Sequence, residues 1–163
     1  MPRLSRQLSL AVLLALLLTA IPAARPGLAQ AGITVSNLTD VDNGVADGCG
    51  PDGCSLREAI RLANSRPGPN TITFSLAGEI TPLSPLPPLS DDGTTIDGGS
   101  RTVSLNGSSA GEANGIEIRS SGNTVRGLVI YNFTGSDRFA AGAGIYIDGA
   151  PFGGRPAGGD NNR

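Results

Sequence analysis

From Thr94 onward, apolar and polar residues alternate in short units set between turn residues: TTIDGG, RTVSLNG, NGIEIRSSG, NTVRGLVIYNF and AGIYIDG. Ile96, Val103, Leu105, Ile116, Ile118, Val125, Leu128, Ile130, Ile145 and Ile147 are the apolar members. A period of two predicts strands with one buried face. Strands this short cannot bury a core singly, so the repetition predicts that successive units stack on one another. GIEI at 115–118 and GIYI at 144–147 read as the same face one repeat later, with 134–143 inserted between them. Asn114, Asn123 and Asn132 fall nine residues apart, each at a turn, where asparagine tolerates a left-handed backbone and bonds locally.

Upstream the period changes. Leu56, Ala59, Ile60 and Ala63 fall at i, i+3, i+4 and i+7, which predicts one apolar stripe on a short helix. Ser55 is followed three residues later by Glu58, the capping-box spacing, in which each side chain satisfies an N–H that the first turn leaves unpaired. Asn64, Pro67 and Gly68 stop the helix. It is too short to stand in water alone, so its stripe must cover something. Thr71 to Leu76 alternates as a half-buried strand. The run TPLSPLPPLS at 81–90 carries four prolines, which exclude a central ladder position. Its Leu83, Leu86 and Leu89 recur every third residue and predict an extended run with all three leucines turned inward.

The stretch Cys54-Ser55-Leu56-Arg57-Glu58-Ala59-Ile60 resembles the CSLREA motif near the N-terminus of secreted bacterial right-handed parallel β-helix proteins. The similarity extends over residues 33–98, through Ile33 to Val35, an Asp/Asn/Gly loop, two cysteines and Ala63-Asn64. The resemblance implies that the helix closes the N-terminal end of a β-helix. The expected fold is therefore all-β: a right-handed parallel β-helix (β-solenoid) with a short N-terminal capping α-helix. Residues 1–31 are expected to be a signal peptide, 32–93 the cap, and 94–163 the coils, truncated at the C-terminus.

The signal rests on Arg3 and Arg6, the apolar run Leu8 to Ile21 and the small-x-small site Ala29-Gln30-Ala31, with cleavage after Ala31. The alternative is a membrane anchor, but the apolar run is shorter than the about 20 residues a span requires. No later segment is apolar enough to span a bilayer. Residues 32–163 hold nine Arg against fourteen acids, and the chain has no Lys and no His. That balance disfavours nucleic acid, whose phosphates call for clustered cations. Cys49 and Cys54 are the only cysteines; an even count in an exported chain favours a disulfide. Four residues separate them, against the two of a redox active site, and no further Cys or His completes a zinc site. Asp160-Asn161-Asn162-Arg163 resembles the start of another turn, so the chain is expected to be the N-terminal part of a longer protein. The alternative is a complete small protein with a disordered tail at 149–163.

Candidate chemistry is sparse. Asp40, Asp42 and Asp47 form an oxygen-rich loop of the kind that can hold Ca²⁺, but the loop lacks the distal bidentate Glu of an EF-hand. A solvated turn is the preferred reading. Asp91, Asp92, Asp137, Arg138, Asp148 and Arg155 form no recognisable catalytic set, and Asp91-Asp92-Gly93 and Asp148-Gly149 read as turns. Phe139, Tyr146 and Phe152 are candidates for stacking on sugar rings, and Tyr146 points outward because it alternates out of phase with Ile145 and Ile147. The sequons at Asn37, Asn106 and Asn132 carry no assignment. The expected function is a secreted or cell-surface, non-catalytic binding or envelope scaffold without a cofactor, its partner an extracellular polysaccharide or cell-surface glycan. The alternative is a polysaccharide lyase or glycoside hydrolase with its active site downstream.

Overall fold

The computed structural model describes residues 31–44, 49–135, 142–148 and 162–163. Residues 1–30 of the expected signal segment 1–31, together with Asp47, Asp137, Arg138, Phe139, Phe152 and Arg155, lie outside them. Strand β1 (Ala31–Val35) is followed by helix α1 (Leu56–Ser65), then β2 (Asn70–Phe74), β3 (Gly78–Ile80), β4 (Thr95–Asp97) and β5 (Val103–Asn106). A 3-10 turn at Gly107–Ser109 leads to β6 (Ile116–Ile118), β7 (Thr124–Arg126), β8 (Leu128–Tyr131) and β9 (Ile145–Ile147). These strands form three separate sheets, ordered β1-β2-β4-β7, β3-β5-β8 and β6-β9, and every strand pair is parallel.

The expectation of an all-β right-handed parallel β-helix is corrected by this topology. The sheets have four, three and two strands, none of them closed or a solenoid among the described residues, and a ten-residue helix contributes to the core beside them. The physical reason lies in what alternation encodes. A period of two specifies a strand and its buried side, and leaves open how many strands join one ladder and whether the ladder closes. Register between repeats is a separate matter. Ile116 pairs with Ile145 and Ile118 with Ile147, the correspondence of GIEI with GIYI.

Alternation does set the core. Ile33, Val35, Ile72, Ile80, Ile96, Val103, Leu105, Ile116 and Ile118 all point into one buried cluster. Ile145 and Ile147, though in register with buried Ile116 and Ile118, are 44% and 47% exposed; β6 has Leu89 bonded along its other edge, whereas no strand among the described residues follows β9. Where β4 leaves its ladder, a Cβ on Gly98 would sit 1.9 Å from the Gly127 carbonyl oxygen. Only glycine allows the two backbones to approach so closely.

Helix α1 packs on β1 and β2. Ser55 Oγ accepts the Glu58 N–H at 3.2 Å and Glu58 Oε2 accepts the Ser55 N–H at 3.0 Å. At the other end, Asn70 Nδ2 donates to the carbonyl of Ala63 in the last turn and to those of Arg66 and Gly68 just beyond it, tying the end of the helix to the strand that follows. Leu56 and Ile60 are fully buried, worth about 1.5–3 kcal/mol each. Burial extends beyond one stripe to Arg57, Glu58 and Leu62: the proline-rich run 81–90 meets Arg57 and Asn64, and the loop after β1 meets Ser55 and Glu58. Arg57 Nε and Nη2 clamp both oxygens of Asp40, at 2.9 and 2.7 Å, while Nη1 and Nη2 reach the carbonyls of Pro85 and Ser84.

That clamp also overturns one detail of the proline-rich run. Leu86 and Leu89 are buried, but Leu83 is 70% exposed. Its N–H is drawn to Asp40 Oδ2 at 2.8 Å, which turns the chain and breaks the three-residue period.

The Arg57 and Asp40 side chains are only 7% and 3% exposed. Removing one partner of such a pair leaves an uncompensated buried charge, so Asp40→Ala is expected to cost about 3–5 kcal/mol in denaturant-induced unfolding. The neighbouring Arg61–Asp42 pair is solvent-exposed, and Asp42→Ala is expected to cost less than about 1 kcal/mol.

Candidate functional site

The parallel register that buries one face of each sheet fixes the other as a grid of outward side chains. On β3, β5 and β8, Ile80, Leu105 and Ile130 align on the inner side, and Glu79, Ser104 and Val129 align outside. One step on, Asn106 and Tyr131 are partners. Tyr131 is 38% exposed and Val129 54%, so an aromatic ring and an isopropyl group stand on a polar surface.

Glu79 organises this face. The Tyr131 hydroxyl donates a short hydrogen bond to Glu79 Oε2. Asn106 Nδ2 donates to Oε1 at 3.1 Å and Thr81 Oγ1 to the same oxygen at 3.4 Å. Asn106 Oδ1 in turn accepts the Asn132 side-chain amide and the Ser108 N–H, both at 3.1 Å. Asn132 reaches back because its backbone is left-handed, with φ of 58°, a conformation asparagine tolerates better than most residues. Asn114 and Asn123 serve differently. Both are buried, and their side-chain oxygens accept the N–H groups of Ala143 and Thr94.

The donors around Glu79 hold its carboxyl below its ordinary range, first through Tyr131 and then through Asn106. The same contact, led by the bond to Glu79, raises the Tyr131 phenol above its usual value. A depressed carboxyl contributes stability above the ordinary carboxyl range, and loses it as pH falls through the lowered value. A raised phenol contributes stability below its ordinary value, and loses it as pH rises through the raised one. An ionised carboxylate accepts hydrogen bonds and cannot donate one. It therefore suits recognition of hydroxyl groups better than delivery of a proton to a leaving group, which calls for a raised carboxyl pKa.

A second outward face lies on β6 and β9. Glu117 is the register partner of Tyr146. Arg119 Nε contacts Glu117 Oε1 at 2.5 Å and lies 4.0 Å from Asp148 Oδ2. Tyr146 is half-buried beside this group.

The remaining sequence candidates lie apart from both faces. Asp91 Oδ2 accepts the Gly68 N–H and Asp92 Oδ1 the Ser121 N–H, so both carboxylates brace turns. Asp40 and Asp42 are engaged by Arg57 and Arg61, and no group of three or more potential metal ligands occurs among the described residues. Cys49 and Cys54 are disulfide-bonded, a linkage that persists in oxidising compartments such as the extracellular space. Ala31, after which cleavage is expected, opens β1 and pairs with Asn70. No helix among the described residues is long and apolar enough to cross a membrane.

Sequence reasoning passed over Glu79 and Tyr131 and met Asn106 only as a sequon. The signal was present: Tyr131 alternates out of phase with Leu128 and Ile130, the relation that singled out Tyr146. No family model, curated protein or solved structure matches the chain.

Two measurements check this geometry. The Tyr131 phenolate, followed by ultraviolet absorbance, is expected to titrate above the ordinary tyrosine value and to move back toward it in Glu79→Gln. Because Asp40 and Asp42 already have cationic partners, neither added Ca²⁺ nor EDTA is expected to shift the thermal midpoint.

Proposed function

We propose that this protein is an exported, non-catalytic binding scaffold of the cell surface or extracellular matrix, and that it holds a neutral glycan on the outer face of β3, β5 and β8. The observation that carries the reading is the half-exposed Tyr131 ring beside an ionised carboxylate and two amide side chains in fixed register. A sugar ring presents an apolar face and a rim of hydroxyls. The first matches an amphipathic aromatic such as tyrosine, the second an array of acceptors and donors. Export is supported by the Cys49–Cys54 disulfide, by the leader-like residues 1–31, and by the resemblance of the CSLREAI stretch to secreted bacterial proteins.

The test is retention of the purified chain on a panel of immobilised polysaccharides, with assay for released sugar. The wild type is expected to be retained and to release none. Tyr131→Ala is expected to bind roughly tenfold more weakly, equivalent to about 1.4 kcal/mol. Tyr131→Phe, which keeps the ring, is expected to retain most of the affinity. Release of reducing-end or unsaturated sugar would establish cleavage instead. Retention on no glycan, or retention indifferent to Tyr131→Ala, would remove the assignment.

A further inference from the structure

One side chain on the glycan face has been given no role. Val129 is 54% exposed on the outer side of β8, in the rank Glu79, Ser104, Val129 that crosses β3, β5 and β8. Tyr131 stands two residues further along the same side of β8. It starts two ladder steps, about 9.6 Å, from the strand that carries Glu79, yet its hydroxyl reaches Glu79 Oε2. The phenol ring therefore lies across β5, with Val129 at its flank. Beside the ring the rank reads, from β8 to β3, two methyls, a hydroxyl and a carboxylate. No ion pair among the described residues involves that carboxylate. Its donors are the Tyr131 hydroxyl on Oε2, and Asn106 Nδ2 and Thr81 Oγ1 on Oε1. Each oxygen can accept about two hydrogen bonds, so Oε2 has room for one more donor.

A sugar substituted only by hydroxyls supplies a donor for Oε2 and leaves Val129 against polar groups. A deoxy sugar with a methyl on its ring covers Val129 without placing a donor next to that methyl. A uronate brings a like charge to Glu79, which disfavours it. An acetamido group carries a methyl, a carbonyl and an N–H in one short unit, which correspond in order to Val129, the Ser104 hydroxyl and Glu79. A van der Waals contact at the methyl, the length of the group and a hydrogen bond from its nitrogen together span about 9 Å, close to the two ladder steps between β8 and β3. We propose that the glycan held on this face is one whose units carry N-acetyl groups, the methyl resting on Val129 and the N–H directed to Glu79. Val129 is then the residue that selects among neutral glycans. The assignment rests on the glycan reading above and narrows it.

The experiment is calorimetric titration of the purified chain with two oligosaccharides of equal length and linkage, the hexamers of N-acetylglucosamine and of glucose, which differ at one substituent per ring. The acetylated hexamer is expected to bind roughly tenfold more tightly, the worth of one covered methyl and one hydrogen bond. Val129→Ser is expected to reduce that preference to roughly threefold. It is expected to bind the glucose hexamer as the wild type does, which also shows that it is folded. Tyr131→Ala is expected to weaken binding of both. Equal affinity of the wild type for the two hexamers, each weakened in Tyr131→Ala, would overturn the acetamido assignment and leave the glycan reading standing. A preference unmoved by Val129→Ser, or tighter binding of the deacetylated glucosamine hexamer, would overturn it as well. Binding of neither hexamer would also overturn it, and retention on the polysaccharide panel then decides the glycan reading separately.

Discussion

Arg57 fixes three segments of the chain to one another. Its guanidinium meets the carboxylate of Asp40 in the loop after β1 and the carbonyls of Ser84 and Pro85 in the proline-rich run, while its own backbone belongs to α1. A planar fork of donors matches a carboxylate bidentately and still has N–H groups to spare, which lysine could not reproduce. Without this clamp the second side of α1 would face water, and a helix of ten residues has little stability of its own. Burial of the apolar stripe and satisfaction of the charged side are thus one arrangement. Asn70 completes it by joining the end of the helix to the first residue of β2.

Once β1 and β2 are held against the helix, parallel pairing carries their register onward to β4 and β7. A one-residue slip would turn every inner side chain outward, so burial of Ile33, Ile72 and Ile96 also specifies what stands outside. The outer faces are by-products of the core in their geometry and free of it in their chemistry. One face carries threonines, one a carboxylate with amides and a tyrosine, and one the group around Arg119. The Asn123 side chain extends the same logic at a turn. Its oxygen takes the Thr94 N–H, and the backbone N–H of Asn123 is taken by Asn162 Oδ1 at 2.6 Å, so neighbouring repeats are tied by side chains as well as by strands.

What was legible in the sequence follows from what is local. The apolar stripe of α1, the Ser55–Glu58 spacing and the inner side of every strand but β9 depend on residues at most a few positions apart. The parallel correspondence of 115–118 with 144–147 was readable because the two segments are nearly identical. Closure was not readable, since alternation is the same in a two-stranded sheet and in an endless one, and three small open sheets replaced the expected β-helix. Contacts between distant residues were equally hidden. Arg57 and Asp40 are 17 residues apart, and Glu79 and Tyr131 are 52 apart. Leu83 shows how such a contact overrides a local pattern, because the acceptor that claims its N–H belongs to a loop 43 residues earlier.

The distribution of acids bears on what these faces can do. Glu79 is surrounded by three side-chain donors, Glu117 is paired with Arg119, and Asp97 is held below its ordinary range by Arg126 and then by the Gly99 N–H. Glycosidic hydrolysis usually requires one carboxyl that keeps its proton and a second that has lost it, their environments pushing the two pKa values apart. Donors beside Glu79 and Asp97 push both in the same direction, toward the ionised form. A surface built this way presents fixed, ionised acceptors with aromatic or methyl groups between them.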